Sequence, residues 1–203
     1  MADSWSRYTN DTPASIEDAD AFVDGVHFAT KDELYQAEAQ ALVDVRVELY
    51  GAITGGQLTP FDLTDRLVLE KIHMQYNASI WKWAGRIRDR EVSIGVAPEN
   101  IRESLYGELD TLRWQTEHLD ELTISPEFIA MSAHHHLVKI HPFVDGNGRI
   151  TRLYSDALLL AMTGDRVFDW SDEPVYFDAL RRADRTMNAE ELLELIGIQL
   201  LGE

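Results

Sequence analysis

The sequence predicts an all-α domain carrying one small β-hairpin. Three observations lead there. Apolar residues recur at helical spacing through most of the chain, helix-start signals precede those runs at Thr30, Thr59 and Ser125, and a single stretch, Val92, Ile94 and Val96, alternates as a strand does.

Residues 1–29 read as an acidic N-terminal arm, with Thr12-Pro13 and the run Glu17-Asp18-Ala19-Asp20, docked through Trp5, Phe22 and Phe28. The helical domain then spans residues 30–203. Thr30-Lys31-Asp32-Glu33 is a capping box, followed by an apolar face of Leu34, Ala41, Leu42, Val45 and Leu49 that ends before Gly55-Gly56. Thr59-Pro60-Phe61-Asp62 opens a second helix with a cap and a proline in its first turn; Leu63, Leu67, Ile72 and Tyr76 form its stripe, and His73 is a core histidine beside it. Residues 86–96 follow as a charged turn between short runs, a hairpin or else an irregular surface loop, stopped by Pro98.

A helix over residues 99–119 presents Ile101, Leu105, Leu109, Leu112 and Trp114. Ser125-Pro126 starts another, which carries Phe128, Met131, His135 and Val138 and delivers Ile140 to what comes next. His134-His135-His136 is not read as a metal site, because consecutive helix residues point about 100° apart and cannot share one ion. A further helix stops at Thr163-Gly164, and two closing helices cover residues 171–185 and 187–200.

A chain of 203 residues suits one domain with a substantial core. It has no cysteine, which removes disulfides and thiol catalysis. The start lacks a basic, then apolar, leader, and no apolar run has the length of a membrane span, so the expected setting is cytoplasmic. A formal charge of −18 disfavours nucleic acid and anionic membrane as partners.

The chemistry concentrates in residues 141–152, His-Pro-Phe-Val-Asp-Gly-Asn-Gly-Arg-Ile-Thr-Arg. Each glycine would cost about 1 kcal/mol in a helix interior, so both belong where backbone approaches a ligand. The apolar periodic run beginning at Ile150 places Gly146-Asn147-Gly148 in a helix first turn, where open N–H groups and the dipole favour an anion. Arg149 and Arg152, three apart, extend that anion site from one face. Asp145 beside an anion calls for a cation, and Mg²⁺ bridging carboxylate and phosphates satisfies it. His141 is the candidate base, Phe143 a peg into the core, and Asn147 an uncharged donor to a phosphoryl oxygen.

This run, His141-Pro142-Phe143-x-Asp145-Gly146-Asn147-Gly148-Arg149-x-x-Arg152, resembles the full signature of Fic-domain proteins, most of which transfer AMP from ATP to a hydroxyl of a target protein. The resemblance implies a Fic-like helical domain and ATP with Mg²⁺. It also implies a hairpin flap, at Val92, Ser93 and Ile94, that pairs with the target segment. Thr30-x-x-Glu33-Leu34-x-x-x-Glu38, Trp83-Ala84-Gly85 and Ser93-Ile94-Gly95-Val96 resemble a bacterial subgroup called mobile mystery protein B. In Fic proteins a Ser/Thr-x-x-x-Glu-Gly/Asn helix commonly inhibits through the second arginine, here Arg152. Thr186 to Glu191 misses the last position, and a helix start explains that segment better. The resemblance then points to a separate, small antitoxin-like inhibitor or to none. UMP or phosphoryl transfer on the same site, and a non-enzymatic nucleotide-binding toxin-partner module, stand as alternatives.

Overall fold

A computed structural model describes residues 21–170 and 175–202; the expected arm residues up to 20, with Trp5, lie outside them. Helix α1 (Lys31–Thr54) begins as its capping signal requires, Thr30 accepting from the Glu33 N–H. The Glu33 carboxylate reaches one residue further back, to the Ala29 N–H at 2.7 Å. Just before it, Phe22 packs at 4.7 Å between ring centres on Trp81, and Phe28 packs on Phe22.

The second expected helix is two. Thr59 and Asp62 make a full capping box for the single turn α2 (Pro60–Leu63), and Asp65 then caps α3 (Arg66–Asn77). The restart changes the helical register, so Leu67 is 59% exposed while Leu63, Ile72 and Tyr76 are buried as predicted. A short 3-10 turn (Pro98–Asn100) leads into α4 (Ile101–Glu117), whose Trp114 lies outside the core, stacked on His118. Ser125 caps α5 (Pro126–Ile140), and α6 (Asn147–Thr163) ends on Gly164 at φ 88°, the left-handed stop a glycine provides.

Beyond α6 the chain forms β1 (Arg166–Asp169), α7 (Tyr176–Thr186), α8 (Glu190–Leu195) and β2 (Gly197–Leu200). The predicted start at Ser171 lies outside the described residues. The last predicted helix is shorter than the apolar pattern suggested. Ile196 turns extended at ψ 118°, and β2 pairs antiparallel with β1, matching Arg166 with Leu200 and Asp169 with Gly197.

The fold is helical with one small strand pair, as the class predicts, but the pair is not in residues 86–96. That segment has no strand. Its pairing capacity goes to the motif instead: the Arg88 N–H donates to the Pro142 carbonyl at 2.9 Å, the Val96 N–H to the Ile140 carbonyl at 3.3 Å, and Ile87 bridges Phe143. A chain bonded along residues 140–143 has no need to fold back on itself.

Helix α6 is the centre of the molecule. Ile150, Leu153, Tyr154, Ala157, Leu158 and Leu160 are buried along it, against α5, α1 and β1. Its N-terminus is thereby held by the whole core, and that end carries the motif. Among the described residues, no helix is long and apolar enough to cross a membrane.

Candidate active site

The chain leaves α5 through His141, which occupies the left-handed region at φ 55° and donates its N–H to the Leu137 carbonyl. A non-glycine residue there is uncommon and is tolerated when the surroundings impose it. Pro142 cannot continue the helix, so the turn is set. The imidazole lies with Nδ1 3.2 Å from the Val138 carbonyl. A carbonyl only accepts, so Nδ1 carries the hydrogen and Nε2 keeps the lone pair. Burial lowers the His141 pKa, the Val138 hydrogen bond opposes that, Arg88 lowers it again and Asp145 raises it; the net direction is downward. The ring is therefore a neutral base at physiological pH.

The loop from 142 to 147 is closed from inside. Asn147, 2% exposed, accepts the Phe143 N–H through Oδ1 at 2.9 Å and donates from Nδ2 to the Phe143 carbonyl at 2.8 Å. Its carboxamide, expected to donate to a phosphoryl oxygen, clasps the loop, because the buried Phe143 backbone needs both a donor and an acceptor. Phe143 is the predicted peg, and it stacks on His73 at 3.7 Å and 7°. His73 is more than the core histidine expected. Its Nδ1 accepts the Gly85 N–H at 2.9 Å, which leaves the hydrogen on Nε2, 3.1 Å from the Asp145 carbonyl. Burial holds its pKa down at about 4, so that tautomer is not disturbed by protonation near neutrality.

Gly146 is the turn itself. It sits at φ 75°, and a Cβ there would lie 3.2 Å from Tyr76 Cε1. Its N–H donates to Asp145 Oδ1 at 2.6 Å, and no side chain caps the helix it starts. The first N–H groups of α6 have no intrahelical acceptor, and Gly148 is open to solvent on the side where a Cβ would stand. This is the open helix N-terminus predicted from the glycines. Asp145 is exposed beside it.

The two arginines have separate surroundings. Arg149 bonds at 2.5 Å to Glu38 of α1, itself 2% exposed and accepting from Trp81 Nε1, and lies over the Tyr76 ring. Burial works against the Arg149 charge, but Tyr76, Glu38 and Asp145 outweigh it and its pKa is raised. Arg152 lies over the rings of Tyr176 and Trp170, at 4.7 and 5.6 Å. Trp170 is fixed by Asp156, one turn along α6, which accepts from the indole N–H and the Phe168 N–H. Burial brings that carboxyl up to about 7.

His134, His135 and His136 go to three different partners, Tyr176, Asp184 and Glu108. Glu190, the weak match to an inhibitory glutamate, starts α8 and accepts from Asn188, whose Oδ1 takes the Glu190 N–H. Val92, Ser93 and Ile94 lie in the exposed bend of residues 89–95, next to His141 through Gly95 but without strand structure.

Three supporting residues were not singled out as site residues from the sequence: Glu38, His73 and Arg88. Glu38 had a signal. It falls on the Leu34–Leu42–Val45 face of α1, and a carboxylate on an apolar face requires a buried cation or donor.

Residues 61–159 match the family model described as Fic/DOC family. Protein adenylyltransferase fic-1 of Caenorhabditis elegans is 41% identical over 81 residues, covering 38% of this chain and 15% of its own length. The chain thus spans a small part of that relative. Two Bartonella structures share the fold. The N-terminal Fic domain of a Bep effector from Bartonella quintana, with bound ADP, aligns with a TM-score of 0.65 at 19% identity, over 96% of this chain and 94% of its own. BepC from Bartonella tribocorum, with bound AMPPNP, gives 0.63 at 19% identity, over 87% and 93%. Residues 61–159, with the signature loop built as described, thus read as a Fic/DOC family domain, and the two structures show that the surrounding helices share its fold.

Proposed function

We propose that this chain is a protein adenylyltransferase, moving AMP from ATP to a Ser, Thr or Tyr hydroxyl of a target protein. One observation carries the reading: a neutral His141, with its lone pair on Nε2, stands one short loop before the uncapped helix N-terminus at Asn147, which two arginines flank. A base and a phosphate cradle in one rigid loop suit in-line attack on a phosphoryl group.

In this mechanism Nε2 of His141 takes the proton from the attacking hydroxyl. The hydroxyl oxygen bonds to the α-phosphorus as the bond from that phosphorus to the α–β bridging oxygen breaks, and pyrophosphate leaves with that electron pair. The N–H groups at Asn147, Gly148 and Arg149 meet charge on the α-phosphoryl oxygens, and Arg149 and Arg152 take the departing phosphates. Asn147 contributes by its backbone and by holding the loop shut. Asp145 suits Mg²⁺: a single exposed carboxylate beside a phosphate site is the donor set this ion uses, with phosphates and water completing it. Mg²⁺ bound there would offset phosphate charge.

The same proposal includes a bacterial, cytoplasmic, toxin–antitoxin setting, in which a small antitoxin-like protein restrains the enzyme. In this reading Glu190, the nearest inhibitory match, serves the start of α8, where it accepts from Asn188. Intact-protein and peptide mass spectrometry after incubation of the purified chain with ATP, Mg²⁺ and a bacterial lysate tests the activity. Target peptides carrying one AMP support it; peptides carrying a phosphoryl or UMP group from the matching donor replace it with the corresponding transfer.

A further inference from the structure

Arg88 is 3% exposed, in a segment otherwise largely open to solvent. Burying a guanidinium costs several kcal/mol unless its donors are met, and such groups are retained best where they set register. Here each donor direction is met by a carbonyl from a different place. Nε donates to the His141 carbonyl at 2.7 Å, Nη1 to the Arg90 carbonyl at 2.9 Å and Nη2 to the Val96 carbonyl at 2.6 Å. One side chain thereby ties both ends of the 89–96 bend to the main chain of the candidate base.

Gly95 completes the contact. At φ 111° it brings the bend so close that a Cβ would lie 2.6 Å from His141 Cβ and 2.7 Å from Arg88 Nη2. The His141 N–H is held by the Leu137 carbonyl and its ring by the Val138 carbonyl, both independent of Arg88. Removing Arg88 should therefore loosen the bend from the base without displacing the base from its helix.

We propose that Arg88 is a positioning residue whose fork holds the 89–96 segment in register with His141, so that a target polypeptide lying along that segment presents its hydroxyl to the base. This rests on the adenylyltransferase reading, in which the segment receives the target and His141 takes the proton. A lysine cannot replace it, since a single ammonium lacks a planar fork with donors in three directions.

The test compares wild type with Arg88→Met, Arg88→Lys and Gly95→Ala. Each is incubated with Mg²⁺, ATP labelled at the α-phosphate and bacterial lysate; labelled protein and free labelled AMP are quantified, and ATP affinity is measured by calorimetry. Water needs no docking segment, so the ratio of labelled protein to free AMP should fall at least about tenfold in all three variants, with ATP affinity within about twofold. Amide exchange should rise at residues 89–96 while α5 and α6 keep their protection. An unchanged ratio, or full restoration by lysine, overturns the proposal, as does exchange that rises equally through the core, which marks a merely structural arginine. If wild type labels no protein from any donor, the adenylyltransferase reading fails instead. The exchange data then decide whether Arg88 couples the segment to His141.

Discussion

Residues 141–148 and residues 89–96 lie against each other, yet they are held in opposite ways. The first loop is fastened along its length: Asn147 clasps Phe143, Phe143 stacks on His73, and His73 reaches the Asp145 carbonyl. The second is fastened at Arg88 and Val96, and between them Ile94 is 57% exposed. Reacting groups need geometry held within fractions of an ångström, which a loop clasped from inside by its own side chains provides. A surface that receives different polypeptides gains from freedom in the middle. In the proposed function the contrast separates chemistry from recognition at a distance of one side chain.

Replacing the base breaks the comparison most severely. In His141→Ala, transfer should fall by about 10²–10⁴-fold while ATP affinity stays within about twofold. Labelled-nucleotide transfer read beside calorimetry checks both, and equal losses in each would assign His141 to binding.

Next is the clasp. Asn147→Ala leaves a buried N–H and a buried carbonyl at Phe143 unpaired, at about 1–3 kcal/mol for each group. Thermal unfolding should show a midpoint lowered by about 5–10 °C, with ATP affinity weakened, since the anion-binding turn loses its frame. An unchanged midpoint would mean that the clasp is not what holds the loop.

A smaller effect comes from pH. Because the His141 pKa is lowered, its neutral form persists below the ordinary histidine value of about 6.5. The transfer rate should be level from neutral pH down to about 6.5 and decline only below it, as the ring gains a proton. An acid limb centred above about 7 would place the base in a different environment.

Ile94→Ser should have the least effect on the protein itself, within about 0.5 kcal/mol of wild-type stability and without loss of ATP affinity. Its consequence belongs to recognition: the pattern of labelled lysate proteins should change on a gel while the rate of ATP hydrolysis does not. A fall in hydrolysis would show that the bend supports the chemistry too.

The legibility of the two regions in the sequence follows from the same contrast. Residues 141–152 could be read in advance because glycines, proline and arginines have few physical uses, and their spacing fixed a helix start at Gly146. Capping residues located α1, α2 and α5 for the same reason. Alternation at Val92, Ile94 and Val96 registered a capacity for strand pairing but could not name the partner, which is residues 140–143. Long-range partners were also missing for Glu38, His73 and Arg88, each of which is polar and buried for a reason more than ten residues away. The strand at Gly197–Leu200 escaped because its apolar spacing fits a helix, and only pairing with β1 decides otherwise. The clasp that the Asn147 amide makes on Phe143 was not read from the sequence, because the spacing alone does not show that the Phe143 backbone is buried.

The most direct test of the account uses ATP labelled separately at the α- and γ-phosphate, with the purified chain, Mg²⁺ and lysate, beside His141→Ala. Transfer of AMP predicts protein label from the α-phosphate alone, lost in the variant. Label from the γ-phosphate, or α-label that persists without His141, would contradict it.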